Sequence, residues 1–415
     1  MSRARRVVEA LRTEGLRSAA WRAAKYVSIR TNPFQPRPLS TVYADDIIAV
    51  DWSQPRPVPT DPIPRPADGY RVAWIITPPS PTSGGHRTAF RFMRFLEQAG
   101  HRLTVYLYAP QRYPAHDVDQ IRRMLRETAG YPDLDAEIVR YDPDAGLDGR
   151  YDAVVASDWE ASYAAARHGG DARRFSFVQD FEPFFYPAGS DYVLAENSYR
   201  LGFHGLAIGR WMAAKVREYG MACDAFEFAV DPALYHRENT ERRADVVFYV
   251  RPATPRRATE FGILALGELH RRRPDIVIHL VGGDLAGRDV PFPHVDHGVL
   301  DEPALNRLYN RCAAALVLSL TNLSLVPLEA MAAGAVPVVN DAPNTRGSFD
   351  GEAAEFVEFA PMVPGALAQR LADAVDRPDQ VERSAAMARA VGATAWSDPG
   401  AEFVAAFERV MAASS

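Results

Sequence analysis

Lysine is nearly absent from this 415-residue chain: only Lys25 and Lys215 occur. Any grip on an anion in the second half must therefore use arginine, backbone amides or hydroxyls. Cysteine is equally scarce. Cys223 and Cys312 stand far apart, which suits buried thiols in a reducing cytoplasm better than a disulfide framework or a metal site. No apolar run reaches the roughly 20 residues needed to span a bilayer. No apolar stretch follows the basic N-terminus as a secretory leader requires. No histidine cluster has zinc spacing, no nucleophile elbow is present, and no repeat with a period of about 20–50 residues is apparent.

What is there is a chain long enough for two domains, with 47% hydrophobic residues to fill them. The charge is uneven. Residues 1–30 carry eight basic side chains against Glu9 and Glu14, while the whole chain is at −6, so the remainder is strongly acidic. That balance argues against a nucleic-acid-binding body. Residues 1–30 have an imperfect apolar face (Val8, Leu11, Leu16, Ala20, Ala23, Val27) ringed by arginines. They are expected to form a helix that lies on anionic lipid or packs on its own domain, or else to be a frayed tail. In the first case deleting them releases the protein from anionic vesicles. A cytoplasmic location is expected in each case, with contact to the inner face of the plasma membrane in the first. Residues 33–68 are rich in proline, which excludes a helix and predicts an extended tether.

From Arg71 the pattern alternates. RVAWIIT, HRLTVYLY, YDAVVASD, RRFSFVQD, HGLAIG and DAFEFAV are short buried strands, separated by helical segments such as HRTAFRFMRFLEQAG and WEASYAAARHG. A second series begins near Asp245 with DVVFYV, DIVIHLVGG, AAALVLSL and AVPVVN. Strand–helix alternation of this kind predicts parallel sheets. The fold class is α/β, with two doubly wound Rossmann-like domains facing a cleft. The divisions expected are an extension over 1–68, a first domain over 69–228, a second over 229–395, and a helix over 396–415 able to return across the cleft. Ligands in such sheets lie beyond the strands' carboxyl ends.

Four stretches carry chemistry. In TNLSLVPLEAMAAGAVPVVN (321–340) a single acid, Glu329, sits in an apolar helix that Ser324 is placed to cap. A carboxylate there can accept hydrogen bonds from ribose hydroxyls, or it can be an ordinary exposed glutamate. The loop Thr321, Asn322, Leu323, Ser324 and Leu325 lies at a strand end, where it can contact an anionic ligand. In FYVRPATPRRATEFG, Arg251 and Arg256 can clamp a diphosphate, with Arg257 a surface neighbour. In TPPSPTSGGHRTAF, Gly84 and Gly85 allow close approach of a ligand, or simply make a tight turn; His86 is a candidate contact beside them. In FVQDFEPFFYPAGSDY, Gln179, Asp180 and Glu182 with neighbouring rings suit sugar binding, although Asp180 is also placed to cap a helix. Trp159 either lines the cleft or belongs to the core, and His101 is read as structural. An Asp142–Asp144 pair falls in a loop, and no metal site is assigned.

LVPLEAMAAGAVPVVN resembles the C-terminal motif of retaining GT-B glycosyltransferases of family 4, roughly E-G-F-G-L-P-x-L-E-A-M-A-x-G-x-P-V-V. The register agrees at Leu325, Pro327, Leu328, Glu329, Ala330, Met331, Ala332, Gly334, Pro337, Val338 and Val339. The likeness spans about residues 70–395. The family's first glutamate falls at Thr321, which carries no charge. Arg251 matches the arginine of the family's G-R-x4-K-G, and Arg256 replaces its lysine. TNLSLVPLEAM, YVRPATPRR and Q-D-x-E-P-x-F-Y resemble rhamnosyltransferases of bacterial surface glycans. The resemblance implies a nucleotide-sugar donor, with dTDP-rhamnose the leading choice, and a glycan or lipid-linked saccharide acceptor. It also implies metal-independent transfer with retention and no cofactor. Glu329 would bind ribose, Arg251 and Arg256 the leaving diphosphate. Gly84, Gly85 and Asp180 would arrange sugar and acceptor, with Asp180 counted among the catalytic residues, and Gln179, Glu182, Trp159 and His86 would line the acceptor side. A GT-B sugar-nucleotide epimerase and a catalytically silent scaffold subunit are the alternatives.

Overall fold

The computed structural model describes residues 41–53, 61–110, 118–285, 287–349, 351–392 and 395–413. The basic segment expected over residues 1–30 lies outside them.

The described chain forms two parallel sheets. The first contains β1 (Arg71–Ile76), β2 (Arg102–Leu107), β3 (Glu137–Arg140), β4 (Ala153–Ala156), β5 (Arg173–Val178), β6 (His204–Ile208) and β7 (Cys223–Phe226). Their order is β3-β2-β1-β4-β5-β6-β7. The second contains β8 (Asp245–Tyr249), β9 (Ile278–Val281), β10 (Val295–Asp296), β11 (Cys312–Val317), β12 (Val336–Asn340) and β13 (Glu358–Ala360), in the order β10-β9-β8-β11-β12-β13. Every pairing is parallel, so each central strand is covered on both faces and reads as a continuous apolar run. Strand order reverses between β1 and β4 and again between β8 and β11. A crevice opens at each reversal, beyond the strand carboxyl ends. Both cysteines are buried free thiols.

The helix Ser397–Ala412 does not stay with the second sheet. It packs on the first lobe, where Phe403, Phe407 and Met411 are fully buried. Phe403 lies 4.9 Å from Phe92 and 6.3 Å from Trp74, measured between ring centroids. Each such side chain contributes about 1.5–3 kcal/mol of burial energy.

The proline-rich extension is not wholly extended. Residues 39–54 contain no proline, and Ala44–Ile48 form a short helix there. Its Asp46 is completely buried and accepts hydrogen bonds from Tyr141 Oη (3.0 Å), Tyr108 Oη (3.1 Å) and Arg167 Nη1 (2.9 Å). The segment is therefore clipped to the first lobe, because a buried carboxylate persists only where donors surround it.

Candidate active site

The site occupies the space between the two reversal points. On the first lobe, the loop after β1 leads into the helix Gly84–Gln98, capped by Ser83 Oγ, which accepts from the His86 amide at 3.3 Å. A side chain at Gly84 would meet open space, and one at Gly85 would meet the Gln179 carboxamide at 3.7 Å. Gly85 and Gln179 thus share one rim. His86 does not face a ligand. Its Nδ1 bonds Ser83 Oγ at 2.6 Å and its Nε2 bonds the Thr77 carbonyl at 3.0 Å, so the ring staples the loop. Burial pushes its pKa down to about 4, keeping it neutral.

Asp180 follows β5 and reaches the second lobe. Its carboxylate accepts from Thr321 Oγ1 at 3.0 Å and from the Asn322 amide at 2.9 Å. The Asn322 side chain donates to the Gln179 carbonyl at 2.7 Å. Burial raises the Asp180 pKa, while Arg257 and Arg256 pull it down. Asp180 is therefore an interlobe acceptor with its oxygens committed, rather than a free acid or base. Thr321, Asn322 and Leu323 are buried, so this part of the loop is packed between the lobes instead of open to a ligand.

Glu182 and Trp159 also depart from the expected acceptor role. Trp159 is core: it is 2% exposed, and its indole N–H donates to Tyr186 Oη at 3.0 Å. Glu182 accepts the Trp159 amide at 2.6 Å, tying it to the first turn of helix Trp159–His168. Burial raises its pKa well above the usual carboxylate range, with Asp158 and Glu160 adding to the effect. A carboxylate at a strand end satisfies helix amides as readily as sugar hydroxyls, and sequence does not separate the two.

On the second lobe the arginines divide. Among the described residues the Arg251 guanidinium has no hydrogen bond or ion pair; only its backbone is engaged, the amide donating to Thr259 Oγ1 at 3.1 Å and the carbonyl accepting from the Thr254 amide at 2.9 Å. Arg256 stacks 3.7 Å over the Phe185 ring, with Nε 3.6 Å from Asp180 Oδ2. Arg257 is no surface neighbour. It donates to Asn322 O at 2.6 Å and Ser319 Oγ at 2.8 Å, and burial pushes its pKa down to about 10. Asn340 and Asn344 hold the same loop from beneath, bonding the Ser319 backbone and the Thr321 carbonyl.

The helix carrying Glu329 runs from Val326 to Ala332 and starts on Leu325. Ser324 does not cap it. Its φ is +64°, in the left-handed region, and Pro327 sits in the first turn, where its missing amide hydrogen costs nothing. Ala258, at +47°, is the other non-glycine residue with positive φ among the described residues. Both lie on the loops after β8 and β11, and strained backbone of this kind gathers at functional sites.

Glu329 is half-buried, and its carboxylate has no hydrogen-bond partner among the described residues. Its pKa is pushed up to about 7, by burial first and the Glu302 charge second, with Arg87 and Arg91 of the first lobe pulling the other way. Arg87 crosses the boundary and bonds Glu302 at 2.8 Å. These two arginines and Glu302 escaped the sequence reading. Their signal was the repeat HRTAFR, which places both arginines on one helix face.

The architecture can now be compared with known proteins. HepE of Anabaena, solved with UDP-glucose, superposes with a TM-score of 0.62 at 13% identity over 81% of this chain and 99% of its own. TarM of S. aureus, solved with UDP, α-GlcNAc-glycerol and fondaparinux, gives 0.63 at 7% over 82% and 99%. The fold is GT-B. At these identities the likeness concerns the GT-B fold alone. Residues 244–372 match the model of the WsaF C-terminal domain, a stretch containing Arg251, Arg256, Thr321 and Glu329. The O-antigen biosynthesis protein RfbC of Myxococcus xanthus is 30% identical over 313 residues. That alignment covers 73% of this chain but 24% of RfbC, so the chain spans about a quarter of that relative's length.

Proposed function

We propose that the chain is a glycosyltransferase of surface-glycan assembly. It moves a sugar from a nucleotide donor to a hydroxyl of a glycan or lipid-linked saccharide. The observation that carries this reading is the pairing of two unsatisfied groups on the second lobe's cleft wall. Glu329 is an acceptor without a donor, and Arg251 is a cation without an acceptor. A nucleotide supplies hydroxyls to the first and phosphoryl oxygens to the second. The match to the WsaF C-terminal domain and the name of the Myxococcus relative support the assignment. The UDP complexes of HepE and TarM are consistent with a nucleotide donor.

Rhamnose from dTDP-rhamnose is the proposed donor, on the likeness of TNLSLVPLEAM to surface-glycan rhamnosyltransferases. Transfer is proposed to retain configuration, with the leaving diphosphate itself accepting the acceptor's proton. Arg251 stabilises that leaving group, and Arg256 joins it if its contact with Asp180 is exchanged. Asp180 and Thr321 position the lobes. An epimerase would need free carboxylates around the sugar, and the commitment of Asp180 speaks against it.

The test is calorimetric binding of dTDP-rhamnose, UDP-glucose and a GDP-sugar to the chain and to Glu329→Ala. Binding of dTDP-rhamnose alone, lost in the variant, is the expected result. Preference for another nucleotide sugar would discard the rhamnosyl assignment. No binding of any would favour a silent scaffold.

A further inference from the structure

Helix Gly84–Gln98 directs Arg87 and Arg91, one turn apart, toward the second lobe. Arg87 is taken up by Glu302. Arg91 is not taken up. Among the described residues its guanidinium makes no hydrogen bond and no ion pair, and it lies over the Trp396 ring at 4.2 Å from the centroid. Trp396 comes from the start of the C-terminal helix and is itself wedged against Phe92 (6.1 Å) and Phe228 (6.4 Å). Burial acts against the Arg91 charge, while Asp231 and Glu329 favour it.

This is an unusual state for an arginine. A half-buried guanidinium without acceptors is costly, and a face covered by indole leaves only its planar edge of N–H donors for bonding. Arg91 and Glu329 feel each other's charge across the lobe boundary, and Glu329 likewise lacks a hydrogen-bond partner among the described residues. A cation fork and a carboxylate on opposite walls suit a ligand whose hydroxyl and phosphate are close neighbours. The sugar of a nucleotide and its 5′-phosphate have that relationship. A carboxylate accepts from hydroxyls and repels phosphate, whereas a guanidinium fork matches phosphoryl oxygens.

We propose that Arg91, carried on the Trp396 ring, is the first lobe's contact to the diphosphate of the nucleotide donor. The donor site is then completed by the C-terminal segment and is not the property of the second lobe alone. The inference rests on the donor reading given above.

The experiment compares a nucleoside diphosphate with its parent nucleoside, dTDP against thymidine and UDP against uridine, on the full chain. Affinities are read by calorimetry and ligand-observed NMR. Arg91→Met keeps an unbranched stem on Trp396 and removes the charge. It is expected to weaken the diphosphate about ten- to hundredfold while leaving the nucleoside unchanged. Arg91→Lys keeps the charge without the planar fork, and Trp396→Leu removes the platform; both are expected to fall between. Diphosphate affinity that depends on Glu329 but ignores Arg91→Met would overturn this inference alone. So would an equal loss for nucleoside and diphosphate, which marks a structural role. Absence of nucleotide binding by the unaltered chain would overturn the donor reading as well.

Discussion

Thr321 donates a hydrogen bond to Asp180 from the opposite lobe, at 3.0 Å, and both side chains are buried. Where the GT-B motif that this stretch resembles carries a glutamate, the chain has a neutral donor to an acid. The interlobe contact suits that neutrality, because two carboxylates in contact cannot both stay ionised.

Thr321→Glu should therefore drive the lobes apart without unfolding either. Small-angle scattering is expected to show a larger radius of gyration than for the unaltered chain. Thr321→Val removes one donor from a buried acceptor and should cost about 1–3 kcal/mol in denaturant unfolding. An unchanged scattering profile for Thr321→Glu would show that this contact does not hold the lobes together.

Glu329 gives a pH dependence with a definite sign. Its pKa is raised to about 7, so the carboxyl is neutral below that value and ionised above it. If the ionised form accepts the ribose hydroxyls, donor affinity rises with pH, roughly tenfold per unit below about 7, and levels off above. A nucleotide sugar is the right probe, because its diphosphate carries no proton that titrates near neutrality. Binding near neutral pH should release a proton, seen in calorimetry as a dependence on the buffer's ionisation enthalpy. Glu329→Gln should flatten the profile. A flat profile in the unaltered chain would remove Glu329 from the donor site.

Asp46 anchors the segment ahead of the first lobe, and its loss should be felt locally. Asp46→Ala strands Tyr108, Tyr141 and Arg167 around a hole. Breaking a buried ion pair from one side costs about 3–5 kcal/mol. Limited proteolysis is expected to cut within residues 41–53 much faster than before, with the two lobes still protected. An unaltered cleavage pattern would mean that other contacts hold the segment.

The central strands were legible because parallel strands covered on both faces write themselves as apolar runs, as in AVVA and CAAALV. The site loops followed from the same logic, since strand ends at a reversal point make the crevice. The edges were not legible: β10 has two residues and β13 three, too short for any period to register. Neighbouring polar residues were harder still. Arg256 and Arg257 stand side by side in a short 3-10 turn, yet one stacks on Phe185 and the other donates to the Asn322 carbonyl of the next loop. Nothing in PRR distinguishes them. Trp159 had two equal readings, and packing against Tyr186 decides between them. Arg91 was hidden among the alternating arginines and phenylalanines of an amphipathic helix.

The helix Ser397–Ala412 sets the order in which the molecule can be made. Phe403, Phe407 and Met411 fill the interior of the lobe whose strands emerge first from the ribosome. Domains ordinarily fold as they leave the exit tunnel, the N-terminal one first. Here the early lobe waits with Trp74, Phe92 and Phe177 short of their last partners until the second lobe has been synthesised. A nascent chain that had emerged only as far as residue 392 would carry a finished second sheet and an unsealed first one, which makes the interval before this helix emerges a time of exposure to chaperones and proteases.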